Sequence, residues 1–197
     1  KQTQTEYLEV VGVTTDNRTP RYILRDHYAN KRYKKFADNF PYYPIDQVKK
    51  YAYLPLQVQP ETNIDVAAPY FSNQIETARQ VAMSLPDDYT LVVKDHPYMA
   101  GVRPPTYLEK LARTVNVKLV DYRTSAEKLV KGADIIIGPN GTTFAEAAFY
   151  HKPTIQLGNL GVTLALPNVI PHTDMTTLTK KIKEVLDIDF HTDAYER

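Results

Sequence analysis

The chain has 197 residues, 43% of them hydrophobic, a net charge of +1 and no cysteine. That is enough for one core, or one core with an appendage, while the charge balance gives no argument for a nucleic-acid partner. Without cysteine there is no disulfide and no thiolate chemistry, which fits a cytoplasmic protein. We find no apolar run of transmembrane length and no signal peptide, and a chain that starts at Lys1 without methionine reads as a fragment. Asn17-Arg18-Thr19 and Asn140-Gly141-Thr142 match the glycosylation sequon and, with no secretory signal, are taken as chance.

Residues 1–50 differ from the rest and read as an N-terminal extension, a linker or the remnant of an upstream domain. Tyr7 to Val13 is a candidate strand and Asp26 to Phe40 a candidate helix, before Pro41 and Pro44 break the pattern. The helix carries the basic-aromatic cluster Lys31-Arg32-Tyr33-Lys34-Lys35. Such a cluster is compatible with peripheral contact to anionic lipid, but a solvated helix face or a docking edge for another domain is the preferred reading.

From residue 51 to residue 197 strands and helices alternate. Tyr53 to Val58 predicts a strand, with Pro55 suggesting an edge or a bulge. Ser72 to Leu85 predicts a helix capped by Ser72, with Ile75, Ala78, Val81, Ala82 and Leu85 as its apolar stripe. Then follow a strand at Thr90–Lys94, a helix from Pro105 to Thr114, a strand at Val117–Val120, and a short helix from Ser125 to Lys131 ended by Gly132. A strand at Asp134–Gly138, a helix from Thr143 to His151, a strand at Pro153–Leu157 and a last helix from Asp174 to Leu186 complete the order. This alternation predicts an α/β fold, a parallel sheet of about five strands with helices on both faces. Ligands of such sheets bind beyond the carboxyl ends of the strands.

The stretch from Ile135 to Ala147 shows that geometry most clearly. An apolar run ends in Gly138-Pro139-Asn140-Gly141, and a helical pattern starts at once. Free backbone N–H groups at that start, with glycine allowing close approach, suit a phosphate. Thr143-x-x-Glu146 also matches a capping box, so capping and ligand binding both stay open here.

The strand at 90–94 runs into Lys94-Asp95-His96-Pro97. Lys94 and His96 are two residues apart and share a face, with Asp95 on the other. A fixed charge beside a titratable donor is suited to a phosphate. The first strand leads into Gln59-Pro60-Glu61 and a loop of about a dozen residues, long enough to suggest function, where Glu61 is placed to accept hydrogen bonds from a hydroxyl. After the third strand, Tyr122 or Arg123 faces the same crevice, and Thr124 or Ser125 caps the next helix. Asp187-Ile188-Asp189 has the form of a metal-nucleotide motif but follows the last helix, and the histidines at 27, 96, 151, 172 and 191 show no zinc spacing.

In order, Leu54 to Glu61, Lys94-Asp95-His96-Pro97, Gly141-Thr142-Thr143 with Glu146-Ala147, and Lys152-Pro153 resemble the nucleotide-binding half of the capsular polysaccharide biosynthesis family. That family includes the bacterial β-Kdo transferases, of GT-B fold. The His-Pro motif followed by a Ser/Thr motif is also similar to bacterial sialyltransferases and CDP-glycerol polymerases. The resemblance covers about residues 51–160. It implies a Rossmann-like domain, one half of a GT-B fold, that takes a nucleotide-sugar donor, CMP-linked such as CMP-Kdo, for transfer to a polysaccharide or glycolipid acceptor without an obligatory metal or other cofactor. It implies Lys94 and His96 near the donor phosphate, Thr142 and Thr143 on the same phosphate, and Glu146 near the ribose or donor sugar. Gln59 and Glu61 would lie at the cleft and Asn140 and Gly141 in the donor turn, with His96 and Glu61 as the catalytic candidates. A GT-B enzyme has two such domains, and the acceptor site would lie upstream. A CDP-glycerol-type polyol-phosphate transferase, a sugar-nucleotide epimerase and a non-catalytic nucleotide- or glycan-binding module are the alternatives.

Overall fold

A computed structural model describes residues 19–188. The strand expected at 7–13 lies outside them, as do Asn17, Asp189 and His191. The sheet has six strands: β1 (Tyr51–Pro55), β2 (Thr90–Lys94), β3 (Val117–Val120), β4 (Ile135–Gly138), β5 (Thr154–Gln156) and β6 (Val169–Pro171). Their order is β3-β2-β1-β4-β5-β6, and every pairing is parallel. The helices are α1 (Pro20–Asp38), α2 (Thr62–Asp65), α3 (Gln74–Ser84), α4 (Pro105–Arg113), α5 (Ala126–Gly132), α6 (Thr143–Phe149) and α7 (Leu178–Leu186).

Alternation along the strands builds two cores, one on each face of the sheet. Ala52, Leu54, Leu91, Val93, Leu119, Ile135 and Ile137 meet Ala78 and Val81 of α3, Leu108 and Leu111 of α4 and Ile182 of α7. Tyr51, Tyr53, Val92, Val120 and Ile136 face the other way, against Leu129 and Val130 of α5 and Phe144 and Ala147 of α6. A strand buried on both faces reads as a continuous apolar run, which is why Ile135-Ile136-Ile137 gave a clear signal.

Several local expectations change. β6 is a sixth strand, only three residues long and ending in proline, too short to show a period. β1 is an interior strand, not an edge. Pro55 is its last residue, pairing with β4 stops at Tyr53 opposite Ile136, and Leu56 N–H donates to Lys94 O (3.0 Å) just beyond it. The proline therefore removes no bond from either ladder's body. α3 is capped by Asn73, whose side chain accepts from Glu76 N–H (3.2 Å), and Ser72 instead ends the 3₁₀ turn Pro69–Phe71. Ser125 does cap α5. Gly132 is the last residue of α5 and stands there for space, since a Cβ would lie 2.5 Å from Tyr51 Oη, which donates to Leu129 O at 2.8 Å. Asp174 caps a 3₁₀ turn, Met175–Thr177, that precedes α7. The long loop after β1 is part structured, holding α2 and the turn at Pro69–Phe71.

α1 starts six residues before the expected point, with Pro20 at its first position, where a missing N–H costs nothing. Its last turn packs on the domain: Ala37 is buried, and Phe36, Phe40 and Tyr42 lie against the larger core. Tyr43 N–H then donates to Leu119 O (2.9 Å), covering the outer edge of β3. No helix among the described residues is long and apolar enough to cross a membrane.

Candidate functional site

The strand order reverses between β1 and β4, and the pairing of the two strands stops at Tyr53 opposite Ile136. A cleft of about 530 Å³ opens at that point. Leu56 to Val58 and Glu61 follow β1, Lys94 to Pro97 end β2, Tyr122 to Thr124 follow β3, and Thr142, Thr143 and Glu146 come from the turn after β4 and from α6. The topology thus brings Lys94, His96, Glu61, Thr142, Thr143 and Glu146 into one cavity. Three other sequence candidates do not line it. Gln59 is held by its neighbours, donating to Asp65 Oδ1 (3.1 Å) and Ser72 O (2.9 Å) and accepting from Gln74 Nε2 (2.7 Å). Asn140 is buried, its Oδ1 accepting from Gly141 N–H (2.8 Å) and from the Thr163 hydroxyl (3.0 Å). Gly141 has φ +141°, and a Cβ on it would meet the Gln57 amide at 2.9 Å. Asn140 and Gly141 therefore shape the turn that presents Thr142 and Thr143.

Lys94 is the buried cation of the cleft, 7% exposed. An ammonium has three donors, and the one hydrogen bond of Lys94 among the described residues goes to Tyr122 O at 3.3 Å. Burial holds its pKa below the ordinary value, against the opposing pull of Asp95, Glu146 and Asp121. His96 is more open. Its pKa is also lowered, by burial first and then by Lys94 and Arg103, with Glu61 opposing. Its Nδ1 accepts from Tyr98 N–H at 3.1 Å.

The turn into α6 does not close as a capping box. Thr142, not Thr143, is the residue before the helix, and it makes no side-chain cap bond. Glu146 is exposed and its carboxylate makes no hydrogen bond among the described residues, so the cap leaves it free to face the cleft. Thr142 and Thr143 N–H have no backbone acceptor there either. α6 has only seven residues, so what its start offers is the two N–H groups themselves.

Sequence reasoning missed what lies beneath the cleft. Asp95 is buried in an ion pair with Arg103, from the loop before α4, and Arg103 Nη2 donates to Gln57 O at 2.6 Å. Gln74 of α3 braces the same segment, accepting from Gln57 N–H (2.6 Å) and donating to Gln57 O (3.0 Å). The sequence signal available was a lone arginine before Pro104-Pro105, and period alone does not single it out.

The basic cluster is divided. All four cations are exposed, but Lys34 Nζ bonds Asp38 Oδ1 (2.5 Å) and Tyr122 Oη (2.6 Å) and so is tied to the domain. Arg123 is paired with Asp121 at 2.6 Å.

No protein-family model matches the chain, and no curated protein matches its sequence. Solved structures do match in fold. UDP-GlcNAc 2-epimerase from Methanocaldococcus jannaschii aligns with TM-score 0.55 at 17% identity over 84% of this chain and 45% of that one. The S. aureus MnaA–UDP co-structure aligns with TM-score 0.51 at 16% identity over 81% and 43%. Thermosulfurimonas dismutans KpsC, a beta Kdo 2,7 transferase, aligns at 16% identity over 91% and 56%, with a lower TM-score of 0.48. The chain spans less than half the length of the first two of these structures, and at these identities the likeness is one of fold. The described residues form a Rossmann-like parallel sheet flanked by helices, built as one half of a GT-B fold.

Proposed function

We propose that this domain is the donor-binding half of a GT-B glycosyltransferase that takes a nucleotide-activated sugar. The observation that carries the reading is the cleft at the β1/β4 reversal, where buried Lys94 has donors to spare beside His96 and the N–H groups of Thr142 and Thr143. These four residues would hold the phosphate and stabilise the charge that develops on the departing nucleotide. Glu146, free of any capping task, would accept hydrogen bonds from the ribose or donor sugar. Glu61, across the cleft, remains with His96 a catalytic candidate, while Gln59, Asn140 and Gly141 act by shaping the walls.

The finer reading is a cytidine donor such as CMP-Kdo, used in capsule or surface polysaccharide synthesis, and it rests on the motif resemblance. It carries with it a cytoplasmic site of action and an acceptor bound by a domain outside these residues. A sugar-nucleotide epimerase is the second reading, favoured by the fold match to UDP-GlcNAc 2-epimerase at a TM-score of 0.55. Calorimetric titration with CMP, CDP, UDP and GDP separates them. Tightest binding of a cytidine nucleotide supports the transferase. Equal or tighter binding of UDP moves the reading to the epimerases or to other GT-B transferases, and binding of none of the four removes the nucleotide site.

A further inference from the structure

The Asp95–Arg103 pair is not among the groups assigned to the phosphate, yet Asp95 lines the same cleft. Both residues are buried, at 3% and 6% exposure. A buried ion pair contributes little net stability, because the desolvation of two charges offsets their attraction. What such a pair can supply is geometry. Asp95 Oδ1 takes the Arg103 guanidinium and also accepts from His96 N–H (2.8 Å). Arg103 in turn donates to Gln57 O (2.6 Å), lies over the Tyr107 ring at 4.5 Å, and is tied back by its own N–H to Met99 O (3.1 Å). One guanidinium thus joins the segment after β1 to the end of β2 and closes the turn His96-Pro97-Tyr98-Met99 from below.

That turn decides what His96 offers. Its Nδ1 accepts from the backbone N–H of Tyr98, so in the neutral ring the proton is on Nε2. Nε2 has no partner among the described residues, and the ring lines the cleft. Lys94, Arg103 and burial all disfavour a charged imidazole, and Glu61 alone opposes them.

We propose that the Asp95–Arg103 pair is a positioning device that fixes the His96 turn, so that His96 enters the cleft as a neutral Nε2–H hydrogen-bond donor toward an anion. Arg103 touches no ligand; it acts through His96. The role of the anion rests on the nucleotide reading above, whereas the fixed tautomer does not, and the two are tested apart.

The ring state is read by long-range ¹H–¹⁵N NMR of the ligand-free protein, the His96 signals being identified by their loss in His96→Gln. Removing Arg103 alone leaves Asp95 buried and uncompensated and risks the fold. The informative variant is therefore Asp95→Asn with Arg103→Met, which removes both charges; Arg103→Lys is the conservative companion. The wild type should show one Nε2–H tautomer. The double variant should show a mixture of tautomers, and Arg103→Lys should regain much of the single state. Inorganic pyrophosphate, titrated by calorimetry, should bind the double variant about tenfold more weakly, as expected for one hydrogen bond to an anion. A folded double variant that keeps the pure Nε2–H tautomer overturns the proposal, as does a wild type with the proton on Nδ1. Loss of tautomer control with no pyrophosphate binding by the wild type would uphold the positioning role and refute the phosphate site instead.

Discussion

Lys94→Met tests whether the buried ammonium serves the ligand at the expense of the fold. Methionine is close in length to lysine and fills the same path through the sheet end. In the wild type, Nζ has a single hydrogen bond at 3.3 Å, and burial is the largest influence on its pKa. A buried group that lacks its partners costs about 1–3 kcal/mol, and because the cleft is open to water we take the low end, ~1 kcal/mol. The variant should therefore melt about 2–4 °C higher than the wild type for a chain of this size. Since the folded ammonium binds its proton less readily than the unfolded one, the cost is absent above the ordinary value of 10.5 and present at neutral pH. The gain in melting temperature should accordingly be full near pH 7 and shrink as the pH rises toward that value. The same change removes a charged donor to the phosphate, worth ~1.5–3 kcal/mol, so inorganic pyrophosphate should bind about 10- to 150-fold more weakly by calorimetry. A variant that melts below the wild type at pH 7, or that binds pyrophosphate undiminished, would refute the reasoning.

Further outcomes follow from the same geometry. Glu146→Gln should leave the melting temperature unchanged, because no cap bond is lost, and should weaken nucleotide binding by about one to two decades if the carboxylate meets a sugar hydroxyl; unaltered affinity by calorimetry counts against that role. His96→Ala should weaken binding of a nucleotide but not of the corresponding nucleoside, and an equal effect on both would place His96 away from the phosphate. Gly132→Ala puts a Cβ 2.5 Å from Tyr51 Oη and should destabilise by about 1–3 kcal/mol in urea melts, with much of the loss recovered when Tyr51→Phe is added. Neutralising Lys31, Arg32 and Lys35 should leave stability intact, and we expect no salt-sensitive binding of the wild type to anionic vesicles; such binding, abolished by the changes, would establish a membrane role for α1.

What the sequence determined by itself is local in character. β2 and β3 were legible to the residue, and β4 nearly so, because each is a short, mostly apolar run of β-branched and aliphatic residues bounded by polar or turn residues. The same pattern placed Lys94 and His96 together at a strand end, and put the Gly138-Pro139-Asn140-Gly141 turn ahead of a helix. Once those strands lie parallel in one sheet, their carboxyl ends share one edge, so much of the cleft was implied before any coordinates. The choice at Glu146 was not, because a capping box and a ligand contact use the same residues at the same spacing. Only the placement of Thr142 at the helix start excluded the box. Nor did the sequence reveal the interior position of β1, since Pro55 reads as an edge signal until pairing shows that both ladders are made without its N–H. The Asp95–Arg103–Gln57 bridge was out of reach for a deeper reason. Arg103 donates to a carbonyl 46 residues earlier in the chain. A bond of that kind has no period and no motif, and it exists only because two strand ends are held side by side by the packing of α3 and α4 beneath them.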